Sequence, residues 1–132
     1  MDILIESTKG FEKDLDRLSH DEKAVVAETI NAYADFFSTQ KANAFRKLHR
    51  LTLDVDLNGY ESSLYTLRVS KGLRIILSVD EDPIFDQVIF TLFRVVSLAD
   101  IAMTYQAIAK SLYQEIAHQE IVRHSQETIQ AS

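Results

Sequence analysis

The sequence predicts an α+β domain, and three observations carry that prediction. A helical hairpin lies near the start, a β-meander rich in Leu, Ile and Val fills the middle, and helical periodicity resumes after it. The expected order is strand, helical hairpin, three-stranded antiparallel meander and long C-terminal helix, with the helices packed on one face of the sheet. A chain of 132 residues supplies one compact domain.

Ile3 and Ile5 alternate with polar or opposite-facing neighbours, which suits a short first strand. Phe11, Leu15 and Leu18 then recur at i, i+4 and i+7, one face of a helix whose other face carries Glu12, Asp14, Asp16 and Arg17. Ser19-His20-Asp21-Glu22 matches a capping box and restarts the chain as a second helix bearing Val26, Ile30, Tyr33 and Phe37. From Ser38 to Ser63 the periodicity fades. A short strand through Leu53, Val55 and Leu57, ended by the turn-forming Asn58-Gly59, is the expectation there.

The runs Leu64 to Val69 and Leu73 to Val79 flank Ser70-Lys71-Gly72 and read as a hairpin. After the turn-rich Asp80 to Pro83, the stretch from Ile84 to Val96 is dense in Val, Ile and Phe and supplies the third strand of the meander. Ser97-Leu98-Ala99-Asp100 reads as a second capping box, followed by helical spacing through Tyr105, Ile108, Leu112 and Ile116. Continued to Glu127, that helix would be about 45 Å long at ~1.5 Å per residue, more than a domain of this size covers. The expected division is therefore a domain over residues 1–113 and a helical extension over 114–132, whose apolar stripe invites a homodimer.

Composition narrows the chemistry. No cysteine is present, which excludes disulfides, thiolate catalysis and cysteine-ligated metal sites and fits a reducing cytoplasm. No apolar stretch approaches the ~18 residues of a membrane span, and the first residues lack the features of a secretory signal. No Walker loop or dinucleotide fingerprint occurs, so no cofactor is expected. Glu115 with His118, and Glu120 with His124, have helical ligand spacing, but two ligands of this kind do not make a metal site. The formal charge is −6, yet its distribution is uneven. The first forty residues hold nine acids and four bases, whereas residues 36–53 hold no acid and carry Lys41, Arg46, Lys47, His49 and Arg50. Arg68, Lys71 and Arg74 follow on the hairpin. Such a basic surface suits a polyanion or an acidic protein segment, and equally a solvated loop.

The hairpin Leu64-Tyr65-Thr66-Leu67-Arg68-Val69-Ser70-Lys71-Gly72-Leu73-Arg74-Ile75-Ile76, the Phe11, Leu15, Leu18 helix and the exit Val95-Val96-Ser97 leading to Tyr105 resemble the RelE/ParE superfamily of toxin-antitoxin toxins. The resemblance spans roughly Ile3 to Leu112. It implies a small prokaryotic growth inhibitor, neutralised by a cognate antitoxin, that cleaves mRNA on the ribosome without a metal or acts on another target. By that resemblance Arg74 and Tyr105 are the candidate catalytic side chains. His49, the one histidine of the basic run, is added as a candidate general base. Arg46, Lys47, Arg50, Arg68 and Lys71 are candidates for binding RNA or antitoxin. The positions where RelE-type enzymes carry further basic groups read Leu64, Thr66, Leu98 and Ala99 here. Two structural readings therefore stand beside the catalytic ones: Tyr105 as a core anchor, and Arg74 as the partner of an acid such as Glu61. At the level of function, the alternative to an endoribonuclease is a non-catalytic interaction module of the same fold.

Overall fold

A computed structural model describes residues 1–53 and 62–113. Its elements are β1 (Asp2–Ser7), α1 (Lys9–Arg17), α2 (His20–Thr39), α3 (Lys41–Phe45), β2 (Leu48–His49), β3 (Leu64–Arg68), β4 (Leu73–Asp82) and β5 (Gln87–Ser97). A 3-10 turn at Leu98–Asp100 then leads into a helix over residues 101–113, here α4. The α+β class and the order of elements are as expected. The expected strand through Val55 and Leu57, its Asn58-Gly59 turn and the helical extension lie outside the described residues.

Among the described residues the meander is the centre of a larger sheet. Five strands take the order β1-β5-β4-β3-β2, with β1 parallel to β5 and the other pairs antiparallel. The two residues of β2 sit inside the basic run, where the periodicity is too short to signal a strand. They join the sheet because Leu48 buries its side chain opposite Leu67.

Helices cover both faces of this sheet, which corrects the one-face arrangement predicted above. Leu67, Ile75, Leu77, Val79, Val88 and Phe90 meet Phe11, Val26, Tyr33 and Phe37 of the helical hairpin in one core. Leu64, Ile76 and Val96 meet Tyr105 and Ala109 of α4 in another. The central strand explains the division, since Ile75, Ile76, Leu77, Ser78 and Val79 are all buried. A run buried at consecutive positions needs cover on both sides. A register shift between Ile76 and Leu77 marks a bulge opposite β5, and Phe93 beside it packs toward the α4 core rather than the helical-hairpin core that holds Leu92 and Val95.

Local chemistry sets the boundaries. Thr8 caps α1 by accepting from Phe11 N, and the Ser19-Glu22 capping box forms in full. The box expected at Ser97 does not form. Ser97 Oγ donates to the Asp100 carboxylate at 3.1 Å instead of capping a backbone amide, and the chain opens with a 3-10 turn. Ile84 and Phe85, expected in a strand, stand in the β4–β5 turn. Asp82 Oδ1 accepts from both of their amides, at 3.0 and 3.3 Å, and Asp86 reverses the chain at φ 49°.

The helical hairpin is fastened to β5 where β1 stops. Thr8 N donates to Leu92 O and Thr8 Oγ1 to Phe93 O, and the next free edge donor, Val95 N, reaches Asp14 Oδ2 at 3.0 Å. Asp14 is buried and also accepts Arg94 Nε at 2.6 Å and Nη2 at 2.9 Å. Replacing Asp14 by Ala leaves Arg94 and an edge amide without their acceptor. The expected loss is ~2–4 kcal/mol, at the lower side for a broken buried pair because Arg94 is partly solvated. Urea unfolding checks it, and Asp14→Ala combined with Arg94→Met should recover part of the loss.

Candidate functional site

Strand pairing turns the two basic segments of the sequence into one surface. β2 lies on the outer side of β3, with His49 opposite Thr66, and β3 lies beside β4, with Arg68 opposite Arg74. The α3–β2 connection places Arg46 and Lys47 just before β2, and Lys71 stands on the β3–β4 turn. Arg46, Lys47, His49, Arg50, Arg68 and Lys71 are all exposed. The basic residues are thus brought together along one edge and one corner of the sheet.

Arg68 and Arg74 form a like-charged cross-strand pair, an arrangement that by itself destabilises a sheet. Arg74 relieves it by folding onto its own turn. Its Nη1 donates to Ser70 O at 2.6 Å and Leu73 O at 3.0 Å, with Lys71 O at 3.4 Å. The carbonyl dipoles absorb the charge, and the guanidinium clamps the hairpin. Glu61, the acid suggested as its partner, lies outside the described residues.

Two other cations rest on aromatic rings. Arg50 lies 4.8 Å from the Tyr65 centroid and donates from Nη2 to Tyr65 Oη at 2.7 Å, and Lys47 Nζ lies 4.5 Å from the Phe36 centroid. Lys41 pairs with Glu81 at 2.8 Å. By contrast, the side chains of Arg46, Arg68 and Lys71 make no hydrogen bond or ion pair with another described residue. These three carry the field of the surface outward. The aromatic platforms Tyr65 and Phe36 were not singled out in the sequence, because residues 15 and 11 positions from their cations give no local signal.

Tyr105 is apart from this surface. It has no exposed area, and its hydroxyl donates to Leu64 O at 2.6 Å. Burial pushes its phenol above the usual range, and hydrogen bonding to Ser62 and the Leu51 backbone offsets part of that rise. Gln106 bonds Thr52 O, and Tyr113 Oη donates to Ser62 Oγ at 2.9 Å. The α4 side chains therefore hold the segments that flank β3, and Tyr105 takes the anchoring role. Its phenol lies in the core, away from the exposed basic edge.

A cavity of about 240 Å³ opens between α1, β5 and α4, lined by Thr8, Gly10, Phe93, Arg94, Ile108 and Leu112 among others. No predicted site residue lines it. Among the described residues no group of three or more His, Asp or Glu side chains is placed to hold a metal, and no helix is long and apolar enough to cross a membrane. The Glu115, His118, Glu120 and His124 spacing lies outside the described residues.

Comparison with known proteins gives matches in structure only. The chain is similar to the toxin-antitoxin complex RelBE2 of Mycobacterium tuberculosis at 15% identity and a TM-score of 0.44, over 74% of this chain and 99% of that one. It is similar to the RelB-RelE antitoxin-toxin complex of Methanococcus jannaschii at 22% identity and a TM-score of 0.43, over 75% and 96%. No family model and no curated protein matches the sequence.

Two predictions follow from the placement of the side chains. Arg74→Ala should cost ~1–2 kcal/mol in thermal or urea unfolding, because a charged donor leaves three carbonyls, whereas Arg68→Ala should stay within ~0.5 kcal/mol. Tyr33, whose buried hydroxyl donates to Ala44 O at 2.9 Å, shares with Tyr105 a phenol raised chiefly by burial. Their stabilisation is complete below the unfolded phenol range near pH ~10 and is lost as pH rises above it, because the unfolded chain ionises first. Each contributes a slope of ~1.4 kcal/mol per pH unit there. Urea midpoints between pH 9 and 11 should fall less steeply for Tyr105→Phe than for the wild type.

Proposed function

We propose that this chain is a toxin-antitoxin component of the RelE/ParE kind that works by binding rather than by cutting, with the edge formed by β2, β3 and β4 receiving an acidic segment of an antitoxin-like partner protein. One contrast carries the reading. The two groups expected to do transfer chemistry are committed to structure, Arg74 to the carbonyls of its turn and Tyr105 to the core, while Arg46, Arg68 and Lys71 project outward without partners among the described residues. Cleavage at a 2′-hydroxyl needs a base, an acid and cations aimed at the phosphorane. Binding an acidic segment needs only the projecting charges. Two rings beside this surface, Tyr65 and Phe36, are already covered on one face by Arg50 and Lys47, which leaves fewer faces on which nucleobases could stack.

A second reading, metal-independent mRNA cleavage on the ribosome, is favoured by one feature. His49 is exposed on β2 between Lys47 and Arg50, where an imidazole could accept the proton of a 2′-hydroxyl. The two readings part on one experiment: induction of the chain in a bacterial host without its partner, followed by growth curves and mapping of transcript ends. Binding predicts arrest with intact transcripts, unchanged in His49→Gln, and co-expression of the antitoxin-like partner should relieve that arrest for the wild type but not for Arg46→Glu combined with Arg68→Glu. Cut transcripts that disappear in His49→Gln would give the function to RNA cleavage. Normal growth at good expression would sink the toxin reading altogether.

A further inference from the structure

The geometry points to a head-to-tail contact between copies of this chain, in which the β4–β5 turn of one copy docks on the β3–β4 end of the next. It shares Arg68 and Lys71 with the edge assigned to a partner, adds the β4–β5 turn, and does not require that assignment.

The docking element is the turn. Ile84 is 84% exposed and Phe85 72%, together with Met103 the largest exposures among the described large apolar side chains. They are not loosely held. Asp82 Oδ1 accepts both of their amides, Asp82 Oδ2 accepts from Gln87 Nε2 at 3.3 Å, and Asp86 O accepts from Asp2 N at 3.1 Å. A turn this well bonded presents two large apolar side chains from a held backbone, so little backbone entropy is lost on binding. Acids surround it. Asp2, Asp80, Glu81 and Asp86 are exposed and Asp82 is half-buried, against two cations, Lys41 on Glu81 and the Met1 amino group 3.4 Å from Asp86.

The receiving element has the opposite charge. Residues 62–79 contain no acid, and Arg68 and Lys71 stand exposed at the β3–β4 end, where Asp100, exposed and bonded to Ser97 Oγ, is the acid beside Leu98. Leu98 N donates to Gly72 O at 2.9 Å, which sets Leu98, half exposed, directly beside this turn, with Met103 in the following turn of helix exposed at 72%. Basic side chains therefore border the exposed Leu98, the counterpart of an apolar anchor bordered by acids. Charge complementarity selects the occupant: a second copy carries the matching surface.

The two surfaces lie at opposite ends of the same strand. β4 starts at Leu73 beside the basic turn and ends at Asp82 beside the acidic one, about 30 Å away at ~3.3 Å per residue. They cannot meet within one molecule. A contact between unlike surfaces is heterologous, so an open assembly always keeps one free end of each kind, and chains grow with concentration unless they close into rings.

Sedimentation velocity on the purified full chain tests this. The wild type should show masses that rise with concentration at 50 mM salt, with association about tenfold weaker at 500 mM as screening shortens the reach of the charges. Two double variants at exposed positions block one end each: Ile84→Ser with Phe85→Ser, and Arg68→Glu with Lys71→Glu. Circular dichroism like that of the wild type establishes that each is folded. Each alone should be monomeric, and an equimolar mixture should form a dimer and stop, because each variant contributes its one intact end. A wild type that stays monomeric, variants that associate as the wild type does, or a mixture that stays monomeric would each overturn the head-to-tail contact.

Discussion

The buried carboxylate of Asp14 is the constraint on which the arrangement of layers depends. β1 pairs with β5 only as far as Leu92, so the backbone of β5 beyond that point faces an unfinished edge. A helix cannot continue a strand ladder, but a side chain can stand in for one acceptor. Asp14 does so for Val95 N, and Arg94 supplies the countercharge that makes a buried carboxylate tolerable. Gly10 allows the approach: a Cβ there would lie 3.0 Å from Arg94 Cδ. With α1 held against the end of β5, α2 lies along one sheet face, and Phe37 packs edge-on against Phe90 at 5.2 Å between centroids.

The same strand explains why the opposite face cannot stay open. The bulge in its pairing with β4 lets Phe93 and Val96 pack with Leu64 and Ile76, and those side chains need cover of their own. α4 provides it, and Tyr105 is the largest side chain it buries. The phenol does more than fill space. Its bond to Leu64 O fixes the start of β3, and β3 in turn carries Arg68 toward the basic corner. Tyr105 thus acts on the surface by positioning the strand that builds it, without facing it.

Which parts of this were legible in the sequence follows from the range of the interactions involved. The α1–α2 boundary was readable because the capping box between Ser19 and Glu22 is local, and the meander was readable because alternation is local too. The placement of the last helix on the second sheet face was not, because the partition of apolar residues between two cores depends on tertiary pairing. Asp14 and Arg94 are 80 positions apart and carry no pattern that joins them. At Ile84 and Phe85 the strand-like composition prevailed over the turn signal of Asp82-Pro83, since β propensity does not register an aspartate accepting two amides ahead of it. The seven cations were visible as a group, but their separate fates were not. Sequence cannot distinguish Arg74, turned onto its own hairpin, from Arg68, its exposed neighbour across the strand.

The distribution of charge also settles what the net value leaves open. A formal charge of −6 opposes association between copies at long range, but screening confines that repulsion to about 8–10 Å at ordinary ionic strength. Within such a distance the relevant quantity is local, and the β3–β4 end is basic while the β4–β5 end is acidic. The basic end is also part of the edge assigned to an acidic partner. One surface cannot hold both, so partner and second copy compete, and by linkage each lowers the apparent affinity of the other. A partner that captures the basic end would leave the Ile84 and Phe85 turn unopposed and halt growth of the chain at that copy. Self-association and neutralisation would then be two states of one surface, with the partner's concentration deciding between them.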